Sequence, residues 1–157
     1  MLVKDVMSKE VVTIDGSENL DQLIVKFLKY NFHTLPVIDE QRILLGVVNY
    51  DDIMKIFLPY NHVHEKLPRS ANICDIEEEV FLGDGFPKGL EANVTVSDIM
   101  NTDVITVKED IPMIEARMLM KARNVSKMPV TKDNTLVGFI TLFDIVIALF
   151  KVMHIIK

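Results

Sequence analysis

The sequence predicts an α+β protein in which one unit, with the element order β-α-β-β-α, occurs twice around a pseudo-two-fold axis. Three observations predict this fold: a repeated set of short motifs, strand and helix patterns that alternate in the same order in each copy, and the short chain. The 157 residues, of which 49% are hydrophobic and 25% charged, suit one compact domain or two closely packed halves.

Four short motifs occur twice along the chain. Three pairs are separated by 93 residues and the last by 92, and the lost residue falls where a turn is expected, which is where length changes are tolerated. The pairs are Val3–Met7 with Val96–Met100, Val11–Ile14 with Val104–Val107, Leu35–Val37 with Met128–Val130, and Gly46–Ile53 with Gly138–Ile145.

Each copy begins with a helical turn at its first motif and continues with a β-branched strand, predicted at Val11–Ile14 in the first copy. A helix follows, with Ser17 as the predicted N-cap in the first copy and Asp110 in the second, where Pro112 occupies the first turn. Apolar residues at helical spacing predict the buried faces of these helices: Leu20, Leu23, Ile24, Phe27 and Leu28, then Ile114, Met118, Leu119 and Ala122.

Two strands joined by a polar turn come next, and a second helix begins near Tyr50 in one copy and Leu142 in the other. A copy of about 55 residues buries too little apolar surface to fold well alone. We therefore expect the two sheets to pack face to face and to leave clefts between the repeats. The predicted strand pairs are Thr34–Ile38 with Leu44–Val48, and Met128–Thr131 with Leu136–Thr141.

The predicted organisation is a first repeat at 1–59, an insert at 60–93 and a second repeat at 94–157. The insert is acidic at Glu77–Glu79, and Cys74–Leu82 predicts a short helix; so long a connection is typical of a lid or a disordered insert. His62 and His64 form only a weak metal motif, since no second ligand cluster matches them, and a solvated loop is the better interpretation.

Charge and cysteine content narrow the classes of function. A net charge of −6, from 17 basic and 23 acidic residues, disfavours a nucleic-acid surface. The single cysteine, Cys74, excludes an intrachain disulfide and favours a reducing cytoplasm. The first residues show no signal-length apolar run, and the apolar stretch Leu142–Ile156 is shorter than the roughly 20 residues of a membrane span, so it predicts a mostly buried helix.

The segment Gly138–Ile145 carries the candidate chemistry. It runs from a strand into a helix, with Thr141 at the junction and Asp144 three residues later. Unpaired N–H groups at a helix start can bind phosphate, and a carboxylate there can accept hydrogen bonds from a ribose diol. The same spacing is also a capping box, with Thr141 as the N-cap. The recurrence of the segment beside the other repeated motifs favours a binding role.

Together these motifs resemble paired CBS (cystathionine-β-synthase) domains, also called a Bateman module. The resemblance covers about 125 of the 157 residues and rests on Asp5–Met7, Asp98–Met100, the Pro-Val strands and Gly138–Asp144. It implies a regulatory module that binds AMP, ADP, ATP or S-adenosylmethionine between its repeats. No catalytic residues, metal site or catalytic cofactor are predicted, because no nucleophile elbow, Walker loop or paired zinc cysteines occur.

By that resemblance, the main site uses Asp144 for the ribose hydroxyls and Thr141 for the ribose or a phosphate. Thr13 and Ile14 would flank the adenine. His33 would reach a phosphate, although an ordinary surface histidine is an equally good interpretation. The remaining wall of this site would be formed by Phe32, His33, Thr34, Leu35 and Pro36.

The symmetry-related second site would use Asn49 and Asp52. We expect it to be weaker or empty, because Asn49 offers an amide instead of a hydroxyl, and Asp51 adds a second negative charge beside Asp52. Lys127 would offset part of that charge. The opposite wall would be formed by Ile105, Thr106, Ser126, Lys127, Met128 and Pro129.

The leading hypothesis is a sensor whose ligand bridges the repeats and changes their packing, which an unidentified regulated protein or another copy of the chain detects. The alternative is a nucleotide-independent protein-interaction or assembly module. A metal-dependent activity of the insert ranks lowest. The apolar faces of the helices at Asp51–Leu58 and Phe143–Ile156 predict a homodimer, with no nucleic-acid partner and no membrane span.

Overall fold

The computed structural model describes residues 1–57 and 93–155. His62, His64 and the predicted helix at Cys74–Leu82 lie outside the described residues. The first repeat contains α1 (Val3–Val6), β1 (Ile14–Asp15), α2 (Leu20–Tyr30), β2 (Thr34–Ile38), β3 (Leu44–Asn49) and α3 (Tyr50–Phe57). The second repeat contains α4 (Val96–Ile99), β4 (Val107–Lys108), α5 (Met113–Arg123), β5 (Lys127–Lys132), β6 (Thr135–Thr141) and α6 (Leu142–Val152).

Each repeat forms a three-stranded sheet of the same topology, in the orders β1-β2-β3 and β4-β5-β6. The first strand of each sheet pairs parallel with the second, which pairs antiparallel with the third. Both hairpins shift register at the same place, between Val37 and Ile38 and between Val130 and Thr131. The predicted α+β fold with two copies of β-α-β-β-α is therefore confirmed.

The first strand is shorter than the predicted Val11–Ile14, because only Ile14 and Asp15 pair with β2. The predicted N-caps were also wrong. Asn19 caps α2 in a reciprocal pair with Gln22, with N–O distances of 3.0 and 2.9 Å.

The Ser17 hydroxyl instead donates to Asp15 Oδ1 at 2.6 Å, which lowers the pKa of that carboxyl. In the second repeat the N-cap of α5 is Pro112, not Asp110. Proline is tolerated there because the first N–H groups of a helix have no partner within the helix.

The predicted buried faces of α2 and α5 are only partly correct. Leu20 and Leu23 are buried in α2, whereas Leu28 is 78% exposed. In α5 the buried residues are Met113, Ala116 and Met120, and the predicted Ile114 and Met118 are exposed. Both faces of α5 carry apolar residues, so periodicity alone does not determine which one meets the sheet.

The apolar residues form two cores, and each core includes a short helix from the other repeat. Val3 and Met7, at α1, lie in the second core with Val130, Ile140 and Ile145. Reciprocally, Val96 of α4 lies in the first core. The other buried members of that core are Ile14, Leu20, Leu23, Leu35, Val37, Val48 and Ile53. We call this arrangement the helix exchange.

Paired main-chain hydrogen bonds join the repeats where the exchanged segments end. Ser8 and Phe139 each donate an N–H to the other's carbonyl, at 2.9 Å in both directions. Val47 and Asn101 form the symmetry-related pair, at 3.0 and 2.8 Å. These bonds confirm the pseudo-two-fold relation at the level of individual atoms.

The hairpin turns of the two sheets also meet. Leu44 N–H donates to the Asn134 carbonyl at 3.1 Å, and Leu136 N–H donates to the Arg42 carbonyl at 2.9 Å. Arg42 and Asn134, whose carbonyls accept these bonds, both have positive φ, 63° and 64°. The sheets are thus joined at their turns as well as through the helix exchange.

Helix α6 begins at the predicted residue, but it is not mostly buried. Ile145 and Ala148 are its buried residues, whereas Phe143 is 69% exposed and Leu149 and Phe150 are also exposed. One side of the helix packs on its sheet and the other side faces outward. Among the described residues, no helix has the length and apolar character needed to cross a membrane.

Replacing Gly46 by alanine is expected to destabilise the protein by about 1–3 kcal/mol, the usual range for overpacking. The new Cβ would lie 2.7 Å from the Asn101 carbonyl oxygen and 2.9 Å from Met100 Sδ, so main chain of the exchanged segment must move. Gly16→Ala is the matched control, because its Cβ meets the exposed Ser97 hydroxyl, which can rotate away. Thermal melts compare the two, and equal losses would contradict the backbone argument.

The helix exchange predicts which sheet is destabilised when a side chain of α1 or α4 is shortened. Val3→Ala is expected to cost about 1–3 kcal/mol and to accelerate amide exchange in β5 and β6, although Val3 belongs to the first sequence repeat. Val96→Ala is the reciprocal variant and should act on β2 and β3. Hydrogen exchange read by mass spectrometry checks this, and faster exchange confined to the variant's own sequence repeat would refute the helix exchange.

Candidate functional site

Two clefts open between the repeats, with volumes of about 320 and 350 Å³. The first cleft is lined by Ser8, Glu10, Val11, Val12, Asn31, Phe32, His33, Thr34, Pro36, Lys127, Phe139 and Thr141. The second cleft is lined by Thr34, Val47, Asn49, Asn101, Asp103, Val104, Ile105, Asn124, Val125, Ser126, Lys127, Pro129 and Phe139.

The two clefts are copies of one another. Each residue that lines the first cleft has its repeat counterpart among the residues lining the second, as Thr141 has Asn49. Thr34, Lys127 and Phe139 line both clefts, and Thr34 and Lys127 are themselves counterparts. The clefts therefore share a backbone plan and differ in side-chain chemistry.

Helix α6 begins at the wall of the first cleft, and its N-terminus is held by the predicted capping box. Thr141 Oγ1 accepts from the Asp144 N–H at 3.1 Å, and Asp144 Oδ2 accepts from the main-chain N–H and the hydroxyl of Thr141, both at 2.7 Å. Asp144 is half-buried, and its Oδ1 accepts no hydrogen bond from the part of the chain that the structure describes. Capping therefore leaves one carboxylate oxygen available for a ligand.

Aromatic rings flank the first cleft. Phe32 is exposed and stacks on Tyr30, with ring centroids 6.2 Å apart and an interplanar angle of 13°. His33 meets Tyr50 edge-on at 5.6 Å. With Phe139 on the opposite repeat, Phe32 provides apolar surface suited to a flat heterocycle.

Lys127 is the first residue of β5 and pairs in register with Thr141 on β6. It lines both clefts. Desolvation lowers the pKa of Lys127, because burial of its ammonium group disfavours the charged form. A cation at this position suits an anionic ligand group.

In the second cleft the corresponding groups are hydrogen-bonded within the first repeat. The Asn49 amide oxygen accepts a hydrogen bond from the Thr34 hydroxyl. Asp52 accepts from the Asn49 N–H at 2.7 Å and is only 3% exposed, whereas its counterpart Asp144 is half-buried. Neither Asp144 nor Asp52 is among the residues that line the clefts, and the two differ in that Asp52 is almost fully buried.

The structure brings most of the predicted main-site residues to the first cleft. Ile14 and Leu35 are exceptions, because their side chains lie in the first core. Thr13 is a third exception, since it does not line the cleft and its carbonyl accepts a hydrogen bond from Lys26 Nζ at 3.1 Å. The predicted residues that line the first cleft are Phe32, His33, Thr34, Pro36 and Thr141, with Asp144 directly bonded to Thr141.

The predicted second-site residues divide in the same way. Met128 lies in the second core, and Thr106 lines a separate cavity of about 170 Å³ with Thr131. The predicted residues that line the second cleft are Asn49, Ile105, Ser126, Lys127 and Pro129.

Sequence reasoning missed one wall of the first cleft. Ser8, Glu10, Val11 and Val12 line it because the chain between α1 and β1 is not a strand and crosses to the other repeat. Phe139 was missed although it follows Gly138, where a Cβ would lie 2.5 Å from Met7 Sδ. The glycine at this position of both repeats, Gly46 and Gly138, was the available signal of close approach.

The family model for the CBS domain matches residues 3–59 and 96–151. The chain is 30% identical to a CBS domain-containing protein of Dictyostelium discoideum, with 98% of this chain and 94% of the relative covered. It is also 29% identical to the uncharacterized protein MJ1426 of Methanocaldococcus jannaschii, covering 95% and 91% of the two chains.

Solved structures agree with the sequence relatives. The CBS domain pair of protein MJ0100, in complex with 5'-methylthioadenosine and S-adenosyl-L-methionine, has a TM-score of 0.65 and 26% identity, covering 96% of this chain and 97% of the other. CBSX2 in complex with AMP has a TM-score of 0.69 at 20% identity, covering 97% and 98%, and shows the shared fold. The chain therefore belongs to the CBS-domain family and consists of a pair of CBS domains.

Proposed function

We propose that this CBS pair is a regulatory module, without catalytic activity of its own, that binds an adenosine-containing ligand in the first cleft. The carrying observation is the pair Thr141 and Asp144, which places a half-buried carboxylate with an available oxygen at a helix N-terminus beside the cleft. The ligands of the MJ0100 domain pair, which is 26% identical to this chain, support an adenosine compound. The candidates are AMP, ADP, ATP and S-adenosylmethionine.

Each part of such a ligand meets matching chemistry. The ribose diol donates to Asp144, since a carboxylate oxygen accepts hydrogen bonds strongly. The adenine packs against the apolar surface of Phe32, Pro36 and Phe139. A phosphate lies near the first N–H groups of α6 and near Lys127, where helix dipole and ammonium charge both favour an anion.

The proposed site lies where the two repeats are joined, so ligand binding there can change how the repeats are packed. Ser8 and Phe139 both line the first cleft, and they are the residues whose paired hydrogen bonds join the repeats. A ligand that binds one arrangement of this joint more tightly shifts the population toward it. The regulated protein detects that shift. We propose that both proteins act in a reducing cytoplasm.

Asp144→Asn is expected to weaken binding of the best adenosine ligand by about tenfold or more, because a charge-assisted hydrogen bond is lost. Asparagine keeps an acceptor oxygen for the Thr141 N–H, so the helix cap persists. Asp52→Asn is the matched control at the second cleft and should leave the tighter binding event nearly unchanged. Isothermal titration of the whole chain with each candidate ligand measures the effect, and thermal melts verify folding.

The ranking of the two clefts is wrong if Asp52→Asn abolishes binding while Asp144→Asn binds normally. An absence of binding by AMP, ADP, ATP, S-adenosylmethionine and 5'-methylthioadenosine favours the alternative function. That alternative is a nucleotide-independent protein-interaction or assembly module.

One observation favours assembly in either case. The outward side of α6 exposes Phe143, Val146, Leu149 and Phe150, and exposed apolar side chains of this kind occur at protein interfaces. Tyr50, at the start of α3, is also exposed. We propose that the faces of α3 and α6 form a closed two-fold homodimer.

Phe150→Glu is expected to convert the dimer to monomers, because it places a charge in an apolar interface. Lys151→Glu, at the next exposed position of the same helix, is the control and should keep the dimer. Light scattering after size exclusion measures the mass of each variant. A monomeric wild-type protein at high concentration would refute the dimer.

A further inference from the structure

We propose that Lys127 is a single phosphate-binding cation shared by the two clefts, so that they compete for phosphate-bearing ligands but not for phosphate-free ones. The proposal deepens the proposed function and rests on it, since it assumes that adenosine compounds bind between the repeats. It assigns Lys127 to both sites and makes it the residue that determines phosphate selectivity.

The position of Lys127 follows from the repeat. Lys127 and Thr34 are counterparts in the two repeats, and each lines both clefts. Two residues that the pseudo-two-fold axis exchanges, and that both border both clefts, lie close to that axis. Lys127 is thus at the boundary between the clefts and is accessible from either side.

The two clefts have fewer cationic side chains than potential anion sites. Among the described residues that line either cleft, Lys127 is the only lysine or arginine, and each cleft carries one carboxylate, Glu10 in the first and Asp103 in the second. An exact repeat would place two lysines at the axis, but Thr34 stands at the other position. One cation therefore serves two potential anion sites.

Lys127 is also available for a ligand. Its ammonium group makes no hydrogen bond or ion pair with any residue in 1–57 or 93–155, whereas Lys26 and Lys132 are paired with Glu18 and Glu109 at 2.7 and 3.2 Å. The residue is exposed, so its ammonium group is accessible to a ligand. A phosphate entering either cleft can therefore pair with this ammonium group.

Competition follows from Coulomb's law. The first phosphate to bind takes Lys127, and a second phosphate in the other cleft meets both the loss of that cation and the repulsion of the first anion. A ligand with no phosphate, such as 5'-methylthioadenosine, uses only the apolar walls and the ribose contacts. Its two binding events do not depend on Lys127.

The test compares AMP with 5'-methylthioadenosine on the whole chain, using native mass spectrometry for stoichiometry and isothermal titration for the two dissociation constants. Lys127→Thr gives position 127 the residue of its counterpart Thr34. We expect this variant to weaken the first AMP by about tenfold or more, or about 1.4 kcal/mol. The affinity for 5'-methylthioadenosine should change by less than about twofold, the scatter expected for a contact that is not made.

For each ligand, the second dissociation constant is divided by the first. Comparing this ratio between AMP and 5'-methylthioadenosine separates competition for Lys127 from the different intrinsic affinities of the two clefts. In the wild type this ratio should be larger for AMP than for 5'-methylthioadenosine, and in Lys127→Thr the two ratios should become equal. Thr34→Lys supplies a second cation and should strengthen the second AMP. Lys132→Thr, on the same strand but outside both clefts, is the control for net charge and should bind like the wild type.

The outcomes separate the two proposals. If AMP binds but its affinities and ratio are the same in wild type and Lys127→Thr, the shared-cation proposal is wrong and the proposed function stands. If AMP and 5'-methylthioadenosine both fail to bind the wild-type protein, both proposals fail. If Lys127→Thr weakens both ligands equally, Lys127 acts on the fold of the clefts and not on phosphate.

Discussion

The helix exchange is the constraint on which the rest of the structure depends. Val3 and Val96 are fully buried, each in the core of the opposite repeat, so neither repeat encloses its core with its own residues. The exchanged segments cross the opposite sheets beside Gly46 and Gly138, where any side chain would collide with main chain or methionine sulphur. Burial of apolar surface and the main-chain hydrogen bonds between the repeats together tie them into one unit.

The same exchange creates the clefts. The chain that leaves α1 passes Ser8, bonds to Phe139 and then forms a wall of the first cleft through Val11 and Val12. The symmetry-related path through Asn101 forms the second cleft. The first cleft and the joint between the repeats are therefore the same place, and a ligand bound there would act on the contact that sets the relative positions of the repeats. This is the physical basis of the proposed regulatory role.

The clefts also illustrate how a duplicated backbone permits divergent chemistry. Core positions keep the same apolar character in both repeats because close packing leaves little choice. Cleft positions meet solvent and are not constrained in this way. Asp144 is half-buried beside its cleft whereas Asp52 is almost fully buried, and Lys127 stands where the first repeat has Thr34. A symmetric scaffold thus carries two clefts of unequal chemistry.

The sequence by itself determined the hairpins, the starts of α3 and α6 at Tyr50 and Leu142, and the cap formed by Thr141 and Asp144. These features depend on neighbouring residues, through alternation of apolar side chains and local hydrogen bonding at a helix end. Only the tertiary structure decided which core receives Val3, which face of α5 is buried and that Asp52 is almost fully buried. Each of those outcomes depends on contacts with residues distant in the chain, and no local pattern records which distant surface a segment will meet.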